Sequence, residues 1–225
     1  MLKVAAGSET SSRILDVAEQ LVQTRGFNAF SYADIAAVLH VTKATLHYHF
    51  PTKAQLGQRL IERYHTAFVA ALGCIDRTCS DAREKLQAYV RIYTDVLDHD
   101  RMCLCGMLAA EYATLAGPMR EELRRFFDVN EAWLAELLRR GSEAGELGFT
   151  GPPVEAARVL VAALEGAMLV ARSHGEPARF RTVASRLMDD LGAQPQHAGK
   201  TAARQGKNAS SPLCATRAAG KNQRR

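Results

Sequence analysis

Residues 40–53 read HVTKATLHYHFPTK, with three histidines, three threonines and two lysines around a thin apolar thread. Side chains of this kind are hydrogen-bonding groups suited to phosphates and base edges. The spacing predicts a short helix over 42–49. Thr42 fits its N-cap and Pro51 ends it. Leu46 and Phe50, four apart, face inward; His47, Tyr48 and His49 present polar groups on the other side. Thr42, Lys43 and Thr45 fall in the first turn, where side chains and unpaired backbone N–H groups can meet phosphates. Ala44 is small enough for close approach, and Lys53 opens the next helix near the path a phosphate would take. The same pattern fits a polar surface helix that touches only water, and composition does not choose between them.

Two acidic residues stand out further along. Glu111 and Glu165 lie within apolar helical stretches, and a buried carboxylate needs a partner. An internal pair with arginine or a hydroxyl is one reading; a polar anchor in a small-molecule pocket is the other. Met107, Tyr112, Phe126, Trp133 and Met168 are candidate walls of such a pocket and fit an ordinary core equally well.

The five cysteines, Cys74, Cys79, Cys103, Cys105 and Cys214, are an odd number without a secretion signal. They imply a reducing cytoplasm and mostly free thiols. Cys103 sits near an expected helix N-terminus, a position that lowers a thiol pKa, though it also fits a small buried hydrophobe. His99 and Cys103 share a face, but two ligands do not make a metal site. No cofactor is implied. With no third orienting group and no Gly-rich phosphate loop, a thiol enzyme using Cys103 is a remote alternative.

The elements that must position these residues are helical throughout. Apolar residues make up 47% of 225, enough for a substantial core. Strand alternation and Asn-Gly hairpin turns are missing. About nine helices are expected, an all-α fold. The first carries Ile14, Leu15, Ala18, Leu21 and Val22 on one face and stops at Gly26. Ser31 with Asp34 opens the second as a capping box. A long helix from about Lys53 should break at Gly73. The stretch MCLCGMLAAEYATL is apolar nearly all round and should be buried. Pro118 begins another helix, and the glycines and prolines of 145–153 form a loop. No run approaches the roughly 18 apolar residues that span a bilayer.

Charge is uneven. Residues 1–72 carry +2, residues 73–192 carry −4, and residues 193–225 carry +7 with no acidic residue. The net +5 therefore sits in a tail with too little apolar bulk to fold. With the helical pattern this suggests four segments: a flexible lead (1–8), a first helical domain (9–70), which the resemblance given below makes the DNA-binding one, a second helical domain (71–192) and a disordered basic tail (193–225). A protein that compacts DNA non-specifically through the tail is an alternative reading.

Two short helices joined by about four residues describe a helix-turn-helix, whose second helix enters the major groove. The stretch SYADIAAVLHVTKATLHYHFPTKAQL, residues 31–56, resembles the signature of the tetracycline-repressor (TetR/AcrR) family in its ADIA, its VTKATLHYHF and its K-x-x-L. The resemblance implies an all-α homodimer, most often a repressor, that binds an operator in double-stranded DNA and a small-molecule effector. Carried over by position, it implies DNA contacts from Ser31, Thr42, Lys43, Ala44, Thr45, His47, Tyr48, His49 and Lys53. It implies an effector cavity in the second domain and dimerisation through residues 154–191, where Ala163, Gly166 and Ala167 permit close packing. The chain departs from the family in having His47 in place of tyrosine and His40 in place of glycine at the turn. The segment CLCGMLAAEYATL also resembles NemR-type repressors, which implies electrophile sensing by Cys103.

Overall fold

The computed structural model describes residues 2–192, with side chains from residue 9 onward. Among them the chain forms nine α-helices, one 3₁₀ turn and no strand. The helices are α1 (Leu2–Arg25), α2 (Tyr32–Leu39), α3 (Lys43–His49), α4 (Lys53–Thr78), α5 (Ala82–Asp98), α6 (Leu104–Ala110), α7 (Gly117–Glu143), α8 (Pro153–His174) and α9 (Pro177–Gly192). The basic tail lies outside the described residues. Helical backbone begins at Leu2, ahead of the start expected at residue 9.

The N-terminal three-helix unit is built on short-range signals. Gly26 ends α1 with φ +93°, a conformation that costs an L side chain about 1–2 kcal/mol. The Ser31 hydroxyl accepts from the Ala33 N–H, and the Asp34 carboxylate accepts from the Ser31 N–H, 2.7 Å away. His40 takes the left-handed conformation at the α2–α3 turn, φ 55° and ψ 42°, as the family position implies. Ile14, Ala18, Val22, Ile35 and Leu46 are fully buried, and Phe50 is nearly so. The Tyr32 hydroxyl donates to the Phe50 carbonyl at 2.7 Å, tying α2 to the end of α3.

Two boundaries differ from expectation. Helix α4 runs through Gly73 to Thr78, because a single glycine weakens a helix without stopping it. Helix α6 is short. The chain leaves it at Glu111 and makes a 3₁₀ turn over Tyr112–Thr114. Leu104, Cys105 and Leu108 are buried as expected, whereas Ala109, Ala110, Ala113 and Thr114 are exposed. Small residues leave an apolar-looking segment with little to bury.

Helices α4–α9 enclose the rest of the same continuous core, with Phe68, Leu86, Tyr89, Phe126, Leu134 and Phe180. Cys79, Cys103 and Cys105 are free thiols. No described helix is long and apolar enough to cross a membrane.

Candidate nucleic-acid interface and the buried polar centre

Helix α3 is anchored from both ends. Thr42 caps it: its hydroxyl accepts from the Thr45 N–H and lies 3.1 Å from the Thr45 hydroxyl. Leu46 is fully buried and holds the helix on the domain. That leaves Lys43, Ala44, His47 and Tyr48 facing solvent, with Tyr48 83% exposed. At i, i+4 spacing these four form two adjacent rows on one face.

Several residues expected at the interface prove to have structural duties. The Ser31 hydroxyl donates to Asp34 at 2.7 Å. Lys53, expected beside a phosphate, turns inward. Its ammonium donates to the Phe27 and Phe30 carbonyls at 2.6 and 2.5 Å and lies over both rings. Burial pulls its pKa below the ordinary lysine value, with Glu111 and Asp34 opposing. His49 is half-buried and packs edge-on against Tyr48. Between α2 and α3 lies a hollow of about 440 Å³, lined by residues 30–33 with Lys43, His47 and Lys53.

The residues expected to form a pocket in the second domain divide into two groups. Cys103, Phe126, Trp133 and Glu165 converge on one centre. Phe126 packs on Tyr64 and Phe68, and Trp133 stacks on Tyr89 while donating to Asp76 at 2.8 Å. Tyr64 donates to the Cys103 sulfur at 3.9 Å. Tyr89 donates to Asn130, which donates to Tyr93, closing a buried polar chain. Glu165 reaches the Cys103 thiol from α8, and its Oε1 is buried without a hydrogen-bond partner. Gly106 makes room for it, since a Cβ there would collide with the carboxylate. Burial pushes the Glu165 carboxyl up to about 7. Met168 is fully buried on α8 and Met107 half-buried on α6.

Cys103 caps α6, accepting from the Gly106 N–H at 3.4 Å, so the expected helix-terminal position is correct. Its consequence is not. Burial first, and then the Glu165 carboxylate, raise the thiol well above its ordinary value, outweighing the Gly106 N–H. Low dielectric penalises the thiolate more than one N–H dipole favours it.

Glu111 and Tyr112 stand elsewhere. The Glu111 carboxylate accepts from the Phe27 N–H at 2.7 Å and the Asn28 N–H at 3.3 Å. It thereby grips the α1–α2 connection. Met102 donates its N–H to the Gln23 carbonyl at 3.1 Å, and the Arg172 guanidinium donates to the Gln23 and Thr24 carbonyls. Tyr112 is 37% exposed, accepts from Arg124 and lies under the Arg120 guanidinium. Sequence reasoning missed Tyr64, Tyr89, Tyr93, Asn130 and Arg172. The i, i+4 tyrosines and an asparagine inside an apolar stripe were usable signals; nothing marked Arg172 among the arginines.

Comparison with known proteins agrees with this architecture. Residues 14–60 match the family model for bacterial regulatory proteins of the tetR family, and residues 82–187 match the tetracyclin repressor-like C-terminal domain. A TetR-family regulator from Agrobacterium tumefaciens superposes with a TM-score of 0.80 at 32% identity, over 83% of this chain and 100% of that one. The chain belongs to the TetR family.

Other members are similar at comparable levels. A TetR regulator from Legionella pneumophila has a TM-score of 0.71 at 30% identity, covering 80% of this chain and 95% of that one. The repressor NemR of Escherichia coli strain K12 is 27% identical over 168 residues, 73% of this chain and 84% of its own. The reduced form of E. coli NemR superposes with a TM-score of 0.72 at 26% identity, over 83% and 98% of the two chains. The chain is thus a TetR-family transcriptional regulator with a helix-turn-helix DNA-binding domain, and neither non-specific DNA compaction nor thiol catalysis is favoured.

Proposed function

We propose that this protein is a cytoplasmic homodimeric repressor that leaves a pseudo-palindromic operator when a small-molecule effector binds. It acts by binding, not by turnover. The observation that carries this reading is the outward face of α3: Lys43, Ala44, His47 and Tyr48 are exposed on a helix whose Leu46 is fully buried. The face is exposed and largely polar, with His47 packed beside Tyr32 and Tyr48 beside His49. Thr42 and Thr45 set its first turn, and Ser31, His49 and Lys53 support it from behind.

Dimerisation is assigned to α8 and α9. Val159, Leu169 and Val170 on α8 are 62%, 45% and 53% exposed, and Gly166 between them faces open space. This apolar row suits a matching helix from a second copy.

Effector binding is assigned to the centre around Cys103, Phe126, Glu165 and Tyr64, flanked by Met107, Trp133 and Met168. The unpartnered Glu165 oxygen favours an effector that brings a hydrogen-bond donor. Glu111 and Arg172 then serve as the transmission to the reading head. Released DNA requires that the effector bind the second conformation better.

Selection of bound fragments from a random duplex library tests the reading. The expected product is an inverted repeat with half-sites about 10–10.5 base pairs apart, or a multiple of that spacing. Recovery of duplexes with no shared sequence would overturn it.

A further inference from the structure

Hydrogen bonding in the buried polar centre runs in one direction and ends at Glu165. The Tyr64 hydroxyl donates to the Cys103 sulfur at 3.9 Å, and the Cys103 thiol donates to the Glu165 carboxylate. The Tyr89 hydroxyl donates to Asn130 at 2.8 Å. The 3.0 Å contact between the Tyr89 and Tyr93 hydroxyls therefore takes its hydrogen from Tyr93. Each of these hydroxyl and thiol hydrogens is committed. The polar atom left over is an acceptor, Glu165 Oε1, which is buried and has no partner.

That acceptor belongs to a group that is charged when ionised, and buried charges are normally paired. Among the described residues no lysine, arginine or histidine pairs with Glu165, and Cys103 is the group bonded to it. Without a cation the carboxyl holds a proton more readily, as its rise to about 7 reflects. The walls nearby are aromatic. Phe126 meets the Tyr64 and Phe68 rings at 5.8 and 4.9 Å, and Tyr89 meets Phe68 and Trp133 at 6.4 and 5.7 Å. His65 touches these walls at the Phe126 ring, edge-on at 6.1 Å. The faces of such rings attract a cation.

We propose that this centre takes a small organic amine in its protonated form, whose ammonium donates to Glu165 Oε1 while the aromatic rings hold its apolar body. The proposal rests on the effector reading above and names the chemical class of the effector. Room for the ligand comes from flexible side chains: Met107 lies one turn beyond Cys103 on α6, and Met168 one turn beyond Glu165 on α8. Unbranched thioethers repack readily. A carboxylate or phosphate ligand would meet the Glu165 charge with no open donor to offset it. A neutral alcohol would satisfy Oε1 and leave the charge unbalanced.

Three probes of one shape separate these cases: 2-phenylethylammonium, 2-phenylethanol and phenylacetate. Trp133 is the sole tryptophan of the chain and stacks on Tyr89, so its fluorescence reports on the centre. In titrations of the full chain at pH 8 and fixed salt, the ammonium should bind at least about tenfold tighter than the alcohol, the combined effect of a charge-assisted hydrogen bond and a desolvated cation over aromatic faces. Phenylacetate should bind weakest. Glu165→Gln should erase the preference for the ammonium over the alcohol, with helicity as the control for folding; the wild-type comparison stands without the variant. An alcohol or carboxylate that binds as tightly as the ammonium, an ammonium that fails to bind at millimolar concentration, or a folded Glu165→Gln protein that keeps the wild-type preference overturns the proposal. The ammonium is then added to the complex with a duplex recovered by selection. Binding that follows these rules without weakening the complex upholds the ligand class and overturns the effector reading instead.

Discussion

A carboxyl held out of water at Glu165 makes stability depend on pH. Its pKa rises from the ordinary 4.5 to about 7 on folding. Below 4.5 both states hold the proton and the group costs nothing. Between 4.5 and 7 the folded state holds more protons, so stability falls as pH rises. The loss reaches about 3 kcal/mol above pH 7. Glu165→Gln removes this dependence, so denaturant unfolding should show the variant gaining up to that amount on wild type between pH 4.5 and 8. A gap that stays constant with pH would contradict it. At the same centre, Cys103 is a buried thiol with a raised pKa. In the effector-free protein at pH 7.5, mass spectrometry should find a maleimide on half-buried Cys79 well before Cys103; equal rates would revive Cys103 as an exposed sensor. The sequence showed that Glu165 and Cys103 were unusual. It did not show that they meet, because Cys103 and Glu165 are 62 residues apart in the chain and their approach depends on Gly106 lacking a side chain. At the turn, His40 occupies a left-handed conformation that glycine adopts freely. His40→Gly should stabilise the protein by up to about 1 kcal/mol, read as a raised Tm; a clear fall would mean the imidazole contributes more than its strain costs.

Among the elements, α6 does the work of connection. It ends where the Glu111 carboxylate turns to the backbone N–H groups that follow α1. Helix α8 adds the Arg172 guanidinium on the last carbonyls of α1. Hydrogen bonds to a charged group contribute about 1.5–3 kcal/mol each. Glu111→Ala should therefore destabilise the protein by a few kcal/mol and reduce the response of DNA affinity to an effector, while leaving sequence preference unchanged. A variant with full stability would show that the clasp is idle. Lys53 belongs to this scale too: Lys53→Ala should lower Tm and leave the salt slope of DNA binding unchanged, whereas Lys43→Ala should lower the slope by about 1 per subunit. The helices themselves were legible because caps and periodicity are local. Ser31 with Asp34, Thr42 and Pro118 each mark a start within a few residues. The clasp was not legible, since Glu111 in an apolar stretch looks the same whether its partner is a ligand or a backbone 83 residues away.

At the scale of the whole molecule, the protein combines an N-terminal unit of three helices, a buried polar centre and an exposed apolar face on α8, which we propose a second copy covers. Val159→Arg places a charge on that face without touching the core, as Val159 is 62% exposed. Sedimentation should then show a shift from dimer to monomer, and operator affinity should fall with it. The central claim is that α3 reads sequence. Ala44 tests it most directly, because the residue is exposed and contributes nothing to the core. The measurement is the ratio of affinities for a selected duplex and a scrambled duplex of the same composition, for wild type and Ala44→Phe, with helicity as the control for folding. Wild type should prefer the selected duplex by at least about 10³-fold. A phenyl ring at the closest point of approach should cut that ratio by at least about tenfold while the helical signal stays unchanged. A folded Ala44→Phe protein that keeps the wild-type ratio would contradict the account.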